Sequence, residues 1–274
     1  MVFRRKGAVM GRVYTLGIDV GSTTSKCVIL KNGCEFAAKS LIASGTGTSG
    51  PVKAIELALK MAGIGRGDIS CTMATGYGRR AEGIADANMS ELSCHARGAM
   101  FLCPGVHTVI DIGGQDIKVL GIENGILTAF QMNDKCAAGT GRFLEVMAHV
   151  LEVEVDELGE LGARAERQIQ ISSTCTVFAE SEVISQLSAG AGICNIIAGV
   201  HYAVASKVTG LANRVGVIEP VFMTGGVSRN RDMIRALQEQ LRCKIRTSAL
   251  SQYAGAIGAA CYGYDKFVKE ERGI

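Results

Sequence analysis

Two cysteines stand among small polar residues just before a predicted helix. Cys136 opens the stretch CAAGTGRFLEVM, and Cys175 lies in SSTCTVFAESEV. A helix N-terminus carries partial positive charge and unbonded N–H groups, which lower the pKa of a neighbouring thiol and favour an anionic ligand beside it. Four thiolates hold a four-iron, four-sulfur cluster, and a twofold dimer of this chain would supply four. The residues alone leave two interpretations open: a cluster shared by two subunits, or two inert buried thiols.

The helices that would position these thiols are indicated by apolar residues at helical spacing. In each case the apolar residues after the cysteine share one face of the predicted helix. The first face carries Phe143, Met147, Val150 and Leu151, and the second carries Val177, Ile184 and Leu187.

A repeat in the sequence suggests a second kind of chemistry. IDVGSTTSKCVILKNG begins at Ile18, and IDIGGQDIKVLGIENG begins 92 residues later at Ile110; the two align without gaps. Each copy predicts a strand ending in Asp-x-Gly, a tight turn and a second strand. An Asn-Gly hairpin signal follows, at Asn32–Gly33 or Asn124–Gly125. The repeat therefore predicts a duplicated domain.

The chemistry expected of these two loops is phosphate binding. Glycine lets the backbone approach an anion closely, successive N–H groups form an anion-binding concavity, and hydroxyl groups can donate to phosphate oxygens. Asp19 and Asp111 stand where Mg²⁺ could bridge carboxylates and phosphates. A plain strand-end turn explains either loop alone, but two copies at domain-length spacing argue against it. The hydroxyl groups in the first loop belong to Ser22, Thr23 and Thr24.

A third glycine-rich segment, VFMTGGVSRN, leads from an apolar run into a predicted helix. Its Gly225–Gly226 pair would allow a flat or charged ligand to approach closely, although a plain strand–helix turn remains an alternative. The apolar face of the helix that follows carries Met233, Ile234, Leu237 and Leu241.

The composition limits the remaining possibilities. The chain has 274 residues, 47% of them hydrophobic and 20% charged, with a net charge of +3, as expected of a soluble globular protein. The charge gives no case for a nucleic-acid or membrane partner, and no export signal is recognised, so we expect a cytoplasmic protein. The ten cysteines should therefore be reduced and mostly buried, and no pair has C-x-x-C spacing.

The order of two Asp-Gly loops followed by a Gly-Gly loop resembles the superfamily of acetate and sugar kinases, heat-shock chaperone ATPases and actin. The resemblance implies a duplicated actin-like α/β fold with two domains flanking an ATP cleft. The Walker loop of other ATPases is absent. The predicted divisions are 1–12 as an N-terminal extension, 13–105 as the first domain, 106–250 as the second domain with the two cysteines, and 251–274 as a C-terminal helix packing on the first domain.

Seven sequence motifs carry a closer resemblance: IDVGSTTSK, GYGR, SELSCHA, IDIGGQD, MNDKCAAGTGRFL, SSTCTVFAESEV and TGGV. Over roughly residues 13–265 they resemble the activator components of 2-hydroxyacyl-CoA dehydratases, which are BadF/BadG/BcrA/BcrD-type ATPases. The resemblance implies an oxygen-sensitive homodimer with one 4Fe-4S cluster on Cys136 and Cys175 of both chains. It also implies one site for ATP or ADP with Mg²⁺ per subunit. ATP would drive one electron from a donor such as ferredoxin or flavodoxin to the separate dehydratase component.

The predicted site residues follow from these motifs. Asp19 and Asp111 are predicted to hold magnesium, and Asp111 and Gln115 to act in catalysis, with Gln115 orienting the attacking water. The two cluster thiols are expected to lie away from the phosphate loops, and His95 and Cys94 are interpreted as structural. The predicted nucleotide-binding residues are Ser22, Thr23, Thr24, Ser25, Lys26, Gly113, Gly114, Gly225, Gly226 and Gln252.

Three other functions share parts of this sequence pattern. A small-molecule kinase has the same fold but needs an acceptor pocket, and the two cysteine segments occupy that part of the chain. A chaperone-like ATPase needs a peptide-binding domain, for which no residues remain. An ATPase subunit of a benzoyl-CoA reductase-type enzyme shares both cysteine motifs but usually works with unlike subunits. The sequence does not identify the acyl-CoA of the partner dehydratase.

Overall fold

The computed structural model of this protein describes residues 12–172 and 175–273. Most of the predicted N-terminal extension and two residues of the SSTC motif, Ser173 and Thr174, lie outside the described residues. The described chain divides into two compact units, one formed by 12–98 with 255–273 and the other by 99–254. Each unit contains a five-stranded sheet of mixed direction with helices, which confirms the α/β class.

The sheet of the first unit has the strand order β3-β2-β1-β4-β5. The strands β1, β2 and β3 are antiparallel neighbours, whereas β4 and β5 continue from β1 in parallel. Its strands are β1 (Tyr14–Val20), β2 (Ser25–Lys31), β3 (Glu35–Ile42), β4 (Ile69–Thr75) and β5 (Ala87–Asn88).

The sheet of the second unit repeats this arrangement. Its order is β10-β9-β6-β7-β8, with β6, β7 and β8 antiparallel and β9 and β10 parallel to β6. Matching β6 through β10 to β1 through β5 gives the same order and the same directions, so the predicted duplication is confirmed. The strands are β6 (Thr108–Ile112), β7 (Ile117–Glu123), β8 (Ile126–Asn133), β9 (Val221–Thr224) and β10 (Ile245–Arg246).

The described helices are α1 (Gly50–Ala62), α2 (Glu91–Leu102), α3 (Gly141–Val150), α4 (Leu158–Ala163), α5 (Thr176–Ser188), α6 (Ile193–Val215), α7 (Arg231–Leu241) and α8 (Ala254–Arg272). In the first unit, α8 lies against β1, where the Thr15 hydroxyl donates to the Ala260 carbonyl at 3.0 Å. None of the helices in the described ranges is both long enough and apolar enough to cross a membrane.

Both predicted Asn-Gly hairpins are confirmed. Asn32 and Gly33 join β2 to β3 with φ angles of 53° and 73°, and Asn124 and Gly125 join β7 to β8 with 51° and 76°. Two successive residues with positive φ make the turn whose twist matches that of the flanking strands, and Asn-Gly adopts it at low cost. Local sequence thus sets the register of both hairpins.

The helices after the two cysteines differ in which residues they bury. On α3 the predicted face is confirmed, since Phe143 and Met147 are fully buried in the core of the second unit. On α5 the predicted helix exists, but its buried residues are Ala179 and Val183. Val177, from the predicted apolar face, is 64% exposed. Small side chains let α5 pack closely on α3, which leaves the larger apolar residues at the surface of the single chain.

Candidate functional site

The first phosphate loop is a tight turn fixed by backbone hydrogen bonds. The Gly21 amide donates to the Thr24 carbonyl at 3.0 Å, and the Gly21 carbonyl accepts from the Thr46 amide at 2.9 Å. The Val20 carbonyl accepts from the Gly78 amide, in the GYGR motif, at 2.9 Å. The loop is therefore held from both sides within the first unit.

The side chains of this loop differ in exposure. Ser22 and Thr23 are exposed and Thr24 is half-buried, so the first two hydroxyl groups are accessible to an anion. Ser25 is fully buried, and its hydroxyl donates to the Ser44 carbonyl at 2.7 Å. This bond places Ser25 beneath the loop, where it supports the backbone.

Asp19 is buried at the end of β1, opposite Lys26 of β2. Its carboxylate lies against two glycines: a Cβ atom added at Gly76 would be 2.6 Å from Oδ1, and one added at Gly255 would be 2.8 Å from Oδ2. The same Cβ at Gly255 would be 3.1 Å from Nε2 of His95. The observed position of the Asp19 carboxylate therefore requires glycine at both places.

The second phosphate loop has the same turn. The Gly113 amide donates to the Asp116 carbonyl at 2.9 Å, in the manner of Gly21 and Thr24 in the first loop. Gly114 is half-buried and Gln115 is exposed at the tip. The geometry of the two loops thus repeats as their sequences do.

Asp111 lies in a buried network that the sequence interpretation missed. Its Oδ1 accepts from the Thr224 hydroxyl at 2.7 Å, and its Oδ2 is 3.3 Å from Nζ of Lys118. Lys118 is only 1% exposed, and its Nζ is also 2.7 Å from Oδ2 of Asp116. A buried cation is stable only when it is paired, and the loop carboxylates provide that pairing. The repeat contained the signal, since Lys118 matches Lys26 in the aligned copies.

The Gly-Gly segment follows β9 beside the end of β6. Gly225 has a φ of 84°, and a Cβ atom added there would lie 2.2 Å from the Ile112 carbonyl oxygen, so only glycine fits. The Ser228 hydroxyl donates to the Gly225 carbonyl at 2.7 Å. Gly226 faces open space. The pair therefore combines a close backbone contact with room for a ligand.

Gln252 lies in a short 3₁₀ helix, Ser251–Tyr253, that packs against the 3₁₀ helix Gly226–Arg229. The Thr247 hydroxyl joins them, since it is 3.0 Å from the Ser251 hydroxyl and donates to the Ser228 carbonyl at 3.4 Å. The structure thus brings the segment that contains Gln252 beside the Gly-Gly segment.

The ten thiols differ in burial and in their position on helices. Five are buried, four are partly exposed and one is exposed, so the expectation that most thiols are buried is not met. Burial raises the pKa of Cys94 to about 12 and of Cys261 to about 11, which makes both poor thiolate ligands.

Cys136 and Cys175 are both partly exposed near a helix start. Cys175 is the N-cap residue of α5. Cys136 precedes the turn that leads to Thr140, the N-cap residue of α3, and its carbonyl accepts from Nδ2 of Asn133 at 2.8 Å. Cys194, in the first turn of α6, is a third partly exposed thiol at a helix start.

A four-iron, four-sulfur cluster needs four ligands, which is more than Cys136 and Cys175 of one chain supply. In the described ranges, no three or more His, Cys, Asp or Glu side chains come together as potential metal ligands. Two cysteine ligands from each of two chains satisfy a four-iron, four-sulfur cluster without a third ligand from either chain.

The helix that follows Cys136 is hydrogen-bonded to the second phosphate loop. Gly141 and Arg142, the first residues of α3, donate their amides to the Gly113 and Gly114 carbonyls at 2.9 Å and 2.7 Å. The start of α3 is therefore bonded to the second phosphate loop, while the predicted separation of the two thiols from the loops stays a prediction.

Two sheets with one strand order, each followed by an Asp-Gly loop, define the actin-like ATPase and sugar-kinase class of fold, as predicted. The chain belongs to the BadF/BadG/BcrA/BcrD ATPase family, which it matches over residues 16–263. The family predicted from the sequence is thereby confirmed.

Three comparisons place the chain within this family. It is 63% identical over 258 residues to the (R)-2-hydroxyglutaryl-CoA dehydratase activating ATPase of Acidaminococcus fermentans, covering 94% of this chain and 99% of that one. It is 50% identical over 263 residues to the 2-hydroxyisocaproyl-CoA dehydratase activator of Clostridioides difficile, covering 96% and 99%. A solved structure of the Clostridium difficile activator with bound ADPNP has a TM-score of 0.93 at 50% identity, covering 96% and 98%.

Proposed function

We propose that this protein is an ATP-dependent one-electron donor that activates a 2-hydroxyacyl-CoA dehydratase. One observation carries the proposal: a chain similar to dehydratase activators over nearly its full length has two predicted phosphate loops and two partly exposed thiols before helices. The phosphate loops supply nucleotide chemistry, and the thiols supply ligands for an electron carrier.

In this proposal ATP and Mg²⁺ are bound by the two phosphate loops. The accessible hydroxyl groups of Ser22 and Thr23 and the backbone of the second loop bind phosphate oxygens. Asp19 and Asp111 are the magnesium carboxylates, and the exposed Gln115 orients the attacking water. The Gly225–Gly226 segment and Gln252 contact the adenosine, Thr24, Ser25 and Lys26 belong to the nucleotide site with the first loop, and Lys118 supports Asp111.

Cys136 and Cys175 of two identical subunits would hold one 4Fe-4S cluster, which when bound would supply the transferred electron. The surface of α5 supports a second copy at this position. Val177 and Phe178, in the first turn after Cys175, are each 64% exposed in the single chain. Large apolar side chains beside a proposed ligand are suited to burial by another subunit.

The energy requirement explains the use of ATP. Removing an unactivated β-proton from a 2-hydroxyacyl-CoA requires its thioester carbonyl to become a ketyl radical, which needs an electron of very low potential. For one electron, 59 mV corresponds to about 1.4 kcal/mol, so a few hundred millivolts requires on the order of several kcal/mol. Nucleotide binding and hydrolysis supply that energy, and a ferredoxin or flavodoxin supplies the electron.

Anaerobic purification tests the proposal. Iron and sulfide analysis with native mass spectrometry should find a homodimer with about four of each per dimer. The protein should hydrolyse ATP with Mg²⁺ and transfer electrons one at a time to a 2-hydroxyacyl-CoA dehydratase component. An iron-free monomer that hydrolyses ATP without reducing the dehydratase would contradict the proposal.

A further inference from the structure

The first two amides of α3 are hydrogen-bonded to the second phosphate loop. The Gly141 amide donates to the Gly113 carbonyl at 2.9 Å, and the Arg142 amide donates to the Gly114 carbonyl at 2.7 Å. The first N–H groups of a helix have no acceptor within that helix. The phosphate loop supplies these acceptors, so α3 and the loop complete each other's backbone bonding.

These two bonds orient the loop's own amides. In a planar trans peptide the C=O and N–H groups point in opposite directions. The Gly113 carbonyl shares its peptide with the Gly114 amide, and the Gly114 carbonyl shares its peptide with the Gln115 amide. Fixing both carbonyls on α3 therefore turns both amides away from α3. Donation to the carbonyls also polarises the peptides and makes the amides stronger donors to an anion.

The chain between these bonds and Cys136 has little slack. Thr140 is fully buried, and both its amide and its hydroxyl donate to the Ala137 carbonyl, at 3.0 Å and 2.7 Å. At Gly141 an added Cβ atom would lie 3.1 Å from the Gly113 carbonyl oxygen. A displacement of the loop carbonyls must therefore move the turn that begins at Cys136.

We propose that Gly141 and Arg142 are positioning residues of the second phosphate loop, and that their two backbone hydrogen bonds carry the effect of bound nucleotide to Cys136. The inference rests on the proposed function in one respect, that nucleotide binds this loop. It assigns the link between nucleotide and thiol to two bonds within the second unit.

The matched variants are Arg142→Pro and Arg142→Ala. Proline removes the amide that bonds to the Gly114 carbonyl, and it is tolerated in the first turn of a helix. Alanine removes the side chain, including its 3.0 Å contact with Glu145, but keeps the amide. The difference between the two variants therefore reports on the backbone bond.

The full-length protein is purified anaerobically, and two quantities are measured. One is the Kd for Mg²⁺-ADP. The other is the rate at which iodoacetamide alkylates Cys136, mapped by peptide mass spectrometry with and without Mg²⁺-ADPNP, with exposed Cys34 as internal control. We expect ADPNP to change the Cys136 rate at least threefold in the wild type and Arg142→Ala. In Arg142→Pro that change should vanish, with affinity roughly tenfold weaker.

The inference is overturned if Arg142→Pro binds Mg²⁺-ADP with the wild-type Kd and its Cys136 alkylation rate responds to ADPNP as in the wild type. If that variant does not fold, Gly141→Ala replaces it, because the added Cβ would lie 3.1 Å from the Gly113 carbonyl oxygen and force a small shift of the loop, and smaller losses of the same two kinds are expected. Iron analysis of the same samples separates the two proposals. Iron-free wild-type protein whose Cys136 rate still responds to ADPNP contradicts the cluster but supports the link. Because a thiolate bound to iron is not alkylated, iron-loaded samples are also measured after the iron has been removed with a chelator, and no response of Cys136 to ADPNP in those samples overturns the link.

Discussion

At the scale of single residues, the carboxylate of Asp19 fits its place because two neighbours lack a side chain. Gly76 has a φ of 86°, a backbone conformation that strains any other residue. Gly255 does not have a positive φ, so a substitution there tests the contact with the carboxylate without adding backbone strain. A methyl group at Gly255 would meet Oδ2 of Asp19 at 2.8 Å and push the carboxylate aside. The proposed magnesium ligand is thus positioned from α8.

We predict that Gly255→Ala lowers Mg²⁺-dependent ATP hydrolysis by roughly ten- to a hundredfold, because a small misplacement of a positioned group has an effect of that order. Steady-state hydrolysis against Mg²⁺ concentration measures this loss. The control is Gly67→Ala, since an added Cβ there meets nothing within 4 Å. A wild-type magnesium profile for Gly255→Ala would show that Asp19 tolerates displacement.

Mutations can distinguish the two proposed cluster ligands from a thiol in a similar position. Cys136→Ser and Cys175→Ser should each lose most of the iron of the anaerobically purified protein, since serine is not a thiolate ligand. Mg²⁺-ADP affinity should stay within about twofold, because the backbone bonds of the loop remain. Cys194→Ser should keep full iron, although Cys194 is also a partly exposed thiol at a helix start. Full iron in either of the first two variants would exclude that residue as a ligand.

Candidate site residues could be recognised only where the signal lay in a contiguous motif. The phosphate loops and the cysteine segments are contiguous motifs of this kind. Lys118 was indicated by the repeat but recognised only through its buried contacts with two carboxylates. Gly255 had no local signal, because its constraint comes from Asp19, which is distant in the chain.

At the scale of elements, a buried network fixes the start of α7, directly after the Gly-Gly segment. Oδ1 of Asn230 accepts from the Met233 amide at 2.9 Å, so its Nδ2 faces Nε2 of His201, also at 2.9 Å. His201 Nε2 is then the acceptor, and Nδ1 donates to Oδ2 of Asp232 at 2.6 Å. Arg235 donates to the other carboxylate oxygen at 2.7 Å. The network joins α6 to the cap of α7.

We predict that Asp232→Asn destabilises the protein by about 3 kcal/mol at pH 7, because it leaves a buried histidine without its charged acceptor. Urea denaturation measures the change in free energy of unfolding. Asp156→Asn is the control, since the side chain of Asp156 is 78% exposed, and it should cost less than about 0.5 kcal/mol.

The pH dependence of that difference has a definite sign. Burial acts to raise the pKa of Asp232, but the hydrogen bonds from His201 and Arg235 outweigh it and hold the pKa below its ordinary value of 3.8. A carboxylate with a lowered folded-state pKa stabilises the fold above its unfolded-state pKa, and this contribution is lost as the pH falls through the folded-state value. The difference between wild type and Asp232→Asn should therefore be constant from pH 7 to about pH 5 and shrink below pH 3.8. A difference that grows on acidification would contradict this account.

Elements were more predictable than the surfaces that they present. The hairpins and the helices after both cysteines follow from turn chemistry and periodicity. The exposure of Val177 and Ile184 on α5 could not be predicted, because periodicity identifies an apolar face but does not indicate what covers it. The chain itself covers only the small residues of that helix.

At the scale of the whole molecule, the duplicated sheets were predictable because the repeat includes both the strand ends and the hairpins. The assembly is a different matter, since it depends on surfaces. The first turn of α5 exposes Phe178 beside Cys175, and in the proposed twofold dimer each subunit contributes one copy of it. Burying a phenylalanine side chain stabilises by roughly 1.5–3 kcal/mol, so two copies matter to the dimer.

The final prediction ties assembly to the cluster. Phe178→Asp should weaken the dimer by roughly a hundredfold or more, because it removes two apolar contacts and adds two carboxylates that lose water on association. If four thiolates from two chains hold one cluster, iron content must fall together with the dimer fraction in native mass spectra. Met61→Asp is the matched control, since Met61 is a 59% exposed apolar residue on α1 of the first unit. Met61→Asp should leave the dimer fraction and the iron content unchanged. A monomeric Phe178→Asp protein that kept its iron would place the cluster within one chain, and an unchanged dimer would place the subunit contact elsewhere than α5.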